Sequence, residues 1–268
     1  MTKSTAASLP QSEPIGDTER KAAGLIIFIH GGAWRSGDKS EHTVLASHLS
    51  SLSKMPVAVP NYRLSPRQPP PPDSGIATLR HPTHTQDIVL ALETIKVSQQ
   101  TISVADTSRL FLVGHSCGAH MIASLVLDPP GGEGTQLDPP LSLDVYQSIK
   151  GLVAAEGIYD LMLLLKTFPD YRDFVEGAFP TTGSLEEYSV SRYLCRSGTA
   201  IPWLLIQSPG DTLIDTPQAE AMYQHLRLEY ERNGWDTNLI RRDFESVKGD
   251  HDELLSTLDF AKLVVSIL

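Results

Sequence analysis

The sequence predicts an α/β fold with a mostly parallel central sheet, helices on both of its faces and a small cap region. Three observations carry this. Continuous apolar runs at Gly24 to His30, Leu110 to Val113, Ile149 to Ala155 and Ile201 to Gln207 have the length and β-branched content of strands buried on both faces. Between them lie segments whose apolar residues recur at three- and four-residue spacing, the period of helices covering a sheet. The runs end at glycine or at polar turns, so the chain reverses sharply at each strand end.

Composition narrows the class. Of the 268 residues, 41% are hydrophobic and 20% charged, the balance of an ordinary globular protein. The formal net charge of −10 argues against a nucleic-acid partner or an anionic membrane surface, both of which it would repel. No run approaches the ~18 apolar residues of a membrane span. Two cysteines, Cys117 and Cys195, are too few for a disulfide framework, so a reducing, cytoplasmic setting is expected. Residues 1–20, rich in Ser, Thr, Pro and charge, are expected to form a flexible tail without the apolar core of a secretory signal. Residues 21–268 are expected to form one domain, with 159–198 as the cap.

In chain order, Gly24 to His30 is the first strand, and Gly31-Gly32-Ala33-Trp34 turns the chain out of it. Ser40 to Leu52 spaces Val44, Leu45, His48, Leu49 and Leu52 as a helix with Ser40 as its N-cap, and Met55 to Val59 is a second strand. The proline-rich stretch Pro69 to Pro72 excludes regular structure. Asp87 to Ile95 is an amphipathic helix. Asp128 to Pro140 is a Gly/Pro/Asp loop, and Leu161 to Leu165 a short helix. Phe168 to Gly198 is irregular and aromatic, which is why it is assigned to the cap. Thr216 to Arg232 is a helix, Asn238 to Phe244 an edge strand and Asp252 to Leu268 a closing helix.

The chemistry centres on Arg109 to Met121, RLFLVGHSCGAHM. A short strand meets Gly114-His115-Ser116-Cys117-Gly118 and then a helix, which presents a serine hydroxyl on a strained corner above a sheet. Acyl transfer by Ser116 needs a base, an acid that orients the base, and donors for an oxyanion. Asp211, in the loop after the strand Ile201 to Gln207, stands at the carboxyl edge of the sheet and is the acid. Asp215 is the rival, but its place at the next helix start suits an N-cap. His251, in the polar turn Gly249-Asp250-His251-Asp252, completes the order and is the base. His115 packs beside the nucleophile, and His30 shapes the Gly-Gly turn. His42, His48, His81, His84 and His225 have no catalytic context and are expected on surfaces or helix faces. The oxyanion hole falls to backbone N–H groups of Gly31, Gly32 and Ala33 together with that of Cys117; the plainer reading of Gly31-Gly32 is a β-turn.

With these residues in hand, the chain resembles the α/β-hydrolase fold of the hormone-sensitive-lipase-like branch, and within it the kynurenine formamidases. The blocks that carry this are HGGAW (His30 to Trp34), NYRLSP (Asn61 to Pro66), GHSCGAH (Gly114 to His120), GIYDL (Gly157 to Leu161), PGDTLID (Pro209 to Asp215) and GDHDEL (Gly249 to Leu254). Lipase-like esterases usually carry a third glycine where this chain has Ala33. The resemblance implies hydrolysis of N-formylkynurenine to kynurenine and formate, without metal or cofactor. It implies Ser116, Asp211 and His251 as the triad. A small-molecule substrate, an aryl formamide, is the expected partner, and the oligomeric state is open between monomer and homodimer. An aryl leaving group calls for an aromatic slot, for which Trp34, Tyr159 and the aromatics of Phe168 to Tyr193 are candidates. The stretches 66–82 and 128–140 depart from the family pattern, where a substrate entrance can be remodelled. The alternatives are a small-ester carboxylesterase with the same triad and, in another class, a non-catalytic binding protein of this fold.

Overall fold

A computed structural model describes residues 24–68, 71–75, 78–98, 104–131, 137–196 and 198–268; the expected tail, residues 1–20, lies outside them, as do parts of the stretches 66–82 and 128–140. Its strands are β1 (Leu25–Ile29), β2 (Val57–Ala58), β3 (Leu110–His115), β4 (Leu127–Asp128), β5 (Ile149–Ala155), β6 (Leu194–Cys195), β7 (Trp203–Ile206) and β8 (Ile240–Asp243). Six of them form one parallel sheet in the order β2-β1-β3-β5-β7-β8, while β4 and β6 pair antiparallel beside it. The register pairs Ile29 with Gly114, Gly114 with Ala154, Ala155 with Ile206, and Ile206 with Asp243. Strand ends are thereby level, and the loops that follow β1, β3, β5 and β7 open on one carboxyl edge.

Alternation along each strand splits the core in two. Ile26, Phe28, Phe111, Val113, Leu204 and Ile206 point to the face covered by α1 (Thr43–Ser53) and, from the end of the chain, the helix Leu258–Val265. Leu25, Ile27, Ile29, Leu110, Leu112 and Leu205 point to the other, covered by α2 (Thr83–Val97), α3 (Cys117–Val126) and, later in the chain, Thr216–Arg232. All five residues of β1 are buried, as the continuous apolar run requires.

Between these covering helices come α4 (Leu143–Ser148) and, within the expected cap segment, α5 (Leu161–Thr167) and α6 (Arg172–Ala178). The helix Thr216–Arg232 is α7 and the closing helix Leu258–Val265 is α8. Rings of the cap segment pack on one another: Phe168 stacks on Tyr171 at 4.8 Å, Tyr171 meets Phe174 at 5.0 Å, and Phe179 meets Tyr188 at 5.4 Å. No helix among the described residues is long and apolar enough to cross a membrane.

Several boundaries differ from expectation for local reasons. Ser40 does not cap α1; Asp38 accepts from the Ser40 N–H and opens a 3-10 turn, Lys39–His42, that precedes the helix. Helix α2 starts at Thr83, directly after Pro82, and Asp87 inside it turns outward to pair with Arg63 at 2.7 Å. The closing helix is split: Glu253–Ser256 is a 3-10 turn, and Thr257 then caps α8 by accepting from Phe260 N–H. His81 is buried outside any helix, against expectation, and His84 is on a helix face as expected, but the buried one of α2. His84 Nε2 meets Ser65 Oγ at 2.9 Å, and burial pushes its pKa down to about 4, which keeps it neutral.

Candidate active site

The turn after β3 is the tightest point of the fold. Ser116 has φ 57 and ψ −124, in the left-handed half of the map that a non-glycine residue occupies only under constraint. The constraint is on both sides: its N–H donates to Ala155 O at 2.9 Å, extending the ladder, and its carbonyl accepts from Ala119 N–H at 3.0 Å, starting α3. The flanking glycines are needed for closeness. A Cβ on Gly114 would stand 2.5 Å from Gly118 O, and one on Gly118 would stand 2.2 Å from Ile29 O.

Asp211 and His251 come from two loops laced to each other. Ser208 Oγ donates to Gly249 O at 2.7 Å, and Thr212 donates through its N–H and its hydroxyl to Asp250 at 3.0 and 2.8 Å. The Asp211 carboxylate is fully buried and fully satisfied. Its Oδ1 accepts the N–H groups of Leu213 and Ile214 at 2.8 and 2.9 Å, and its Oδ2 accepts Gln207 Nε2 at 3.0 Å and His251 Nδ1 at 2.8 Å. A buried charge is tolerated only with such partners. Because Nδ1–H donates to Asp211, Nε2 of His251 keeps its lone pair, the state a general base requires. The rest of His251 is held as firmly, its N–H donating to Asp250 at 2.8 Å and its carbonyl accepting His115 Nε2 at 2.9 Å. Burial lowers His115 well below the ordinary histidine range, so it stays neutral and serves as that donor. Asp215, at the start of α7, makes no cap; its Oδ2 instead accepts from Thr167 Oγ1 at 2.9 Å.

Ser116 and His251 open on one cavity of about 930 Å³, whose wall also includes Gly31, Gly32 and Ala33. Gly31 lies against the nucleophile: a Cβ there would stand 2.9 Å from Ser116 Cβ. Gly32 has φ 110, and its carbonyl accepts the N–H groups of Arg35 and Ser36, which closes the turn along the cavity wall. The N–H groups of Gly31 and Gly32 carry no hydrogen bond among the described residues. Trp34 N–H, by contrast, donates to the buried Cys117 Sγ at 3.3 Å, and Ala33 also leans on that thiol, which burial pushes up to about 11. Gly31 and Gly32 are left as the free donors; Cys117, the first residue of α3, has no intrahelical partner for its N–H, which like that of Ala33 also lies against the Cys117 thiol. Tyr62, from the NYRLSP block, braces this turn by donating to the carbonyls of His30 and Gly31 at 3.0 Å.

Trp34 and Tyr159 are not the expected aromatic slot. Both are fully buried. Consecutive left-handed residues, Ala33 at φ 52 and Trp34 at φ 57, swing the indole inward, where it packs edge-on against Phe179 at 4.9 Å and His120 at 5.3 Å. Tyr159 hydroxyl donates to Ala154 O at 3.3 Å, under the sheet edge. The aromatic rings on the cavity wall are Tyr171 and Phe174, which belong to the other expected group, the aromatics of Phe168 to Tyr193. The wall also holds Arg35, Arg67, Glu41, His42 and Asp170.

Glu156, the residue after β5, is the functional candidate that the sequence analysis passes over. It is fully buried, at φ 48, with Oε2 3.5 Å from His251 Nδ1 and 3.4 Å from His115 Nε2. A carboxyl ending an apolar strand at the carboxyl edge, Ala154-Ala155-Glu156-Gly157, was the available signal. His115, Glu156 and His251 also bring their donor atoms within 4.8 Å of one another, as metal ligands do. Both nitrogens are already committed, however, to His251 O and Asp211 Oδ2, which leaves Glu156 beside them without a hydrogen bond to either ring.

Comparison with known proteins agrees with this geometry. The kynurenine formamidase of Meyerozyma guilliermondii is 30% identical over 218 residues, 76% of this chain and 71% of that protein. That of Eremothecium gossypii is 29% identical over 73% of this chain and 76% of its own length. Among solved structures, a thermostable carboxylesterase from a metagenomic library superposes with a TM-score of 0.66 at 18% identity, covering 93% of this chain and 82% of that one, a likeness of fold. A family model of the alpha/beta hydrolase fold matches residues 26–194. The chain belongs to the α/β-hydrolase fold family and, within it, to the kynurenine formamidases.

Proposed function

We propose that the protein hydrolyses N-formyl-L-kynurenine to L-kynurenine and formate through an acyl-enzyme on Ser116. The observation that carries this is the convergence of Ser116 and His251 on one cavity, with His251 Nδ1 2.8 Å from Asp211 Oδ2, in a chain whose relatives are named kynurenine formamidases. Ser116 Oγ attacks the formyl carbon while His251 Nε2 takes its proton. The N–H groups of Gly31, Gly32 and Cys117 receive the negative oxygen. His251 returns the proton to the anilide nitrogen, which leaves as kynurenine, and water, deprotonated by the same imidazole, releases formate. A formyl group needs almost no acyl pocket, so the cavity serves the leaving group. The free thiols Cys117 and Cys195 support a reducing compartment, the cytoplasm, as the place of reaction.

Formate release from N-formylkynurenine tests this directly, with p-nitrophenyl acetate as the competing substrate. A kcat/KM higher for the formamide is expected; one higher for the ester by orders of magnitude would assign the protein to the small-ester alternative.

The substrate's aryl ring and amino-acid end fit the wall. Tyr171 and Phe174 offer faces to the ring. Arg35 is tied to Asp173 at 2.7 Å, whereas Arg67 pairs with no carboxylate among the described residues, so Arg67 is our assignment for the anchor of the α-carboxylate. Arg67→Ala is expected to raise KM for N-formylkynurenine about tenfold with little change in kcat, the scale of one charge-assisted hydrogen bond. Formanilide, which lacks the carboxylate, supplies the control. An equal rise for both substrates would remove Arg67 from this role.

A further inference from the structure

Glu156 is out of place by ordinary rules. A fully buried carboxyl is expensive unless satisfied, yet its Oε1 has only a long 3.4 Å bond from Ser208 N–H and its Oε2 has no hydrogen-bond partner among the described residues. It also sits in a left-handed conformation at φ 48, and an apolar side chain could fill the space without the desolvation cost. What the position supplies is a second carboxyl at one ring nitrogen. Asp211 Oδ2 approaches His251 Nδ1 from the end of β7 at 2.8 Å, and Glu156 Oε2 approaches it from the end of β5 at 3.5 Å.

We propose that Glu156 is a positioning residue for His251, a reserve carboxyl at the Nδ1 edge of the imidazole that takes over when Asp211 carries no charge. The proposal rests on the triad reading above. Two carboxyls in one dry site do not both ionise, and the one with more donors holds the charge. Asp211 has four donors, two of them backbone N–H groups, against one long bond for Glu156. Glu156 is accordingly pushed up to about 10, first by burial and next by the charge of Asp211, with Asp252 and Asp250 acting in the same direction. The neighbouring His115 is neutral and offers no compensating charge. Removing the Asp211 charge removes the main electrostatic obstacle. Glu156 then releases its carboxyl proton to solvent, and its carboxylate accepts the His251 Nδ1–H, which leaves the side chain at position 211; the Glu156 O–H is the one covalent bond broken.

The test is a double-mutant cycle on kcat for formate release, with Asp211→Asn, Glu156→Gln and their combination. Asparagine keeps the acceptor for Leu213 and Ile214 N–H, and glutamine keeps the acceptor for Ser208, so both loops retain their anchors; thermal melts verify folding. Loss of the triad acid costs about 10⁴ in a serine protease. Here Glu156→Gln is expected to cost at least about tenfold more in the Asp211→Asn background than beside Asp211. The residual activity of Asp211→Asn should also climb with rising pH as Glu156 ionises, and the double variant should lack that added climb. Equal factors in both backgrounds, with no such climb, would overturn the proposal and leave Glu156 a packing residue. Full activity in Asp211→Asn and in the double variant alike would instead overturn the triad assignment itself.

Discussion

Replacing Ser116 with alanine is expected to lower kcat for formate release by about 10⁵ to 10⁶ while leaving the melting temperature nearly unchanged. The size follows from the unit the side chain belongs to. Without the hydroxyl there is no acyl-enzyme, and His251 has no proton to take; what survives is the donor set of Gly31, Gly32 and Cys117 acting on water. The small stability effect follows from the surroundings. The strained backbone at φ 57 is fixed by the bonds of the Ser116 N–H and carbonyl, which alanine keeps, and the hydroxyl itself bonds to nothing among the described residues. His251→Ala should fall nearly as far, and the Ser116→Ala/His251→Ala pair no further than either alone, because the residues act together. Additive losses would mean two independent contributions and would rule out the relay. Steady-state formate release with each purified variant, set beside its thermal melt, makes the comparison.

The parts of the site legible in the sequence are those built from consecutive residues. Gly114-His115-Ser116-Cys117-Gly118 reads as a corner because the corner's own sterics demand small residues two before and two after the serine, at the distances now seen to Gly118 O and Ile29 O. Asp211 stands out because it lies just past an apolar run, where a parallel sheet leaves polar side chains at its carboxyl edge, and His251 because its polar turn completes the order Ser, Asp, His. Direction is not legible. Nothing in Gly31-Gly32-Ala33-Trp34 says that two successive left-handed residues will turn the indole into the core, and so the sequence puts Trp34 on the wall that Tyr171 and Phe174 hold. Histidines mislead for a related reason. His81 looks like a surface residue beside a proline-rich loop, but the cap segment folds over it, bringing the rings of Phe179 and Tyr188 to 5.1 and 5.6 Å from its own. Glu156 escapes notice because a charged residue after an apolar strand is usually a solvated end, and only the convergence of β5 and β7 turns it toward His251.

Gly118→Ala is expected to damage folding severely. Its added Cβ would stand 2.2 Å from Ile29 O and 2.9 Å from Ile29 C, which are backbone atoms at the end of β1 and cannot swing aside as a side chain would. Overpacking in a core costs about 1–3 kcal/mol, and contact with backbone belongs at the upper end. For a domain of this size about 3 kcal/mol corresponds to a fall of roughly 6–12 °C in Tm. Relief requires α3 to retreat from β1, and that motion separates Ser116 and the Cys117 N–H from Gly31 and Gly32. A displacement near 1 Å is worth about 10² in rate, so kcat should fall with Tm although no reacting group is altered. Gly177→Ala is the matched control. Gly177 also lies in a helix, α6, but a Cβ there meets nothing within 4 Å, and alanine is the better helix former by about 1 kcal/mol. The same substitution should therefore lower Tm sharply at Gly118 and hold or raise it at Gly177. A Gly118→Ala protein that melts with the wild type would mean that α3 does not press on β1 as closely as the elbow geometry requires.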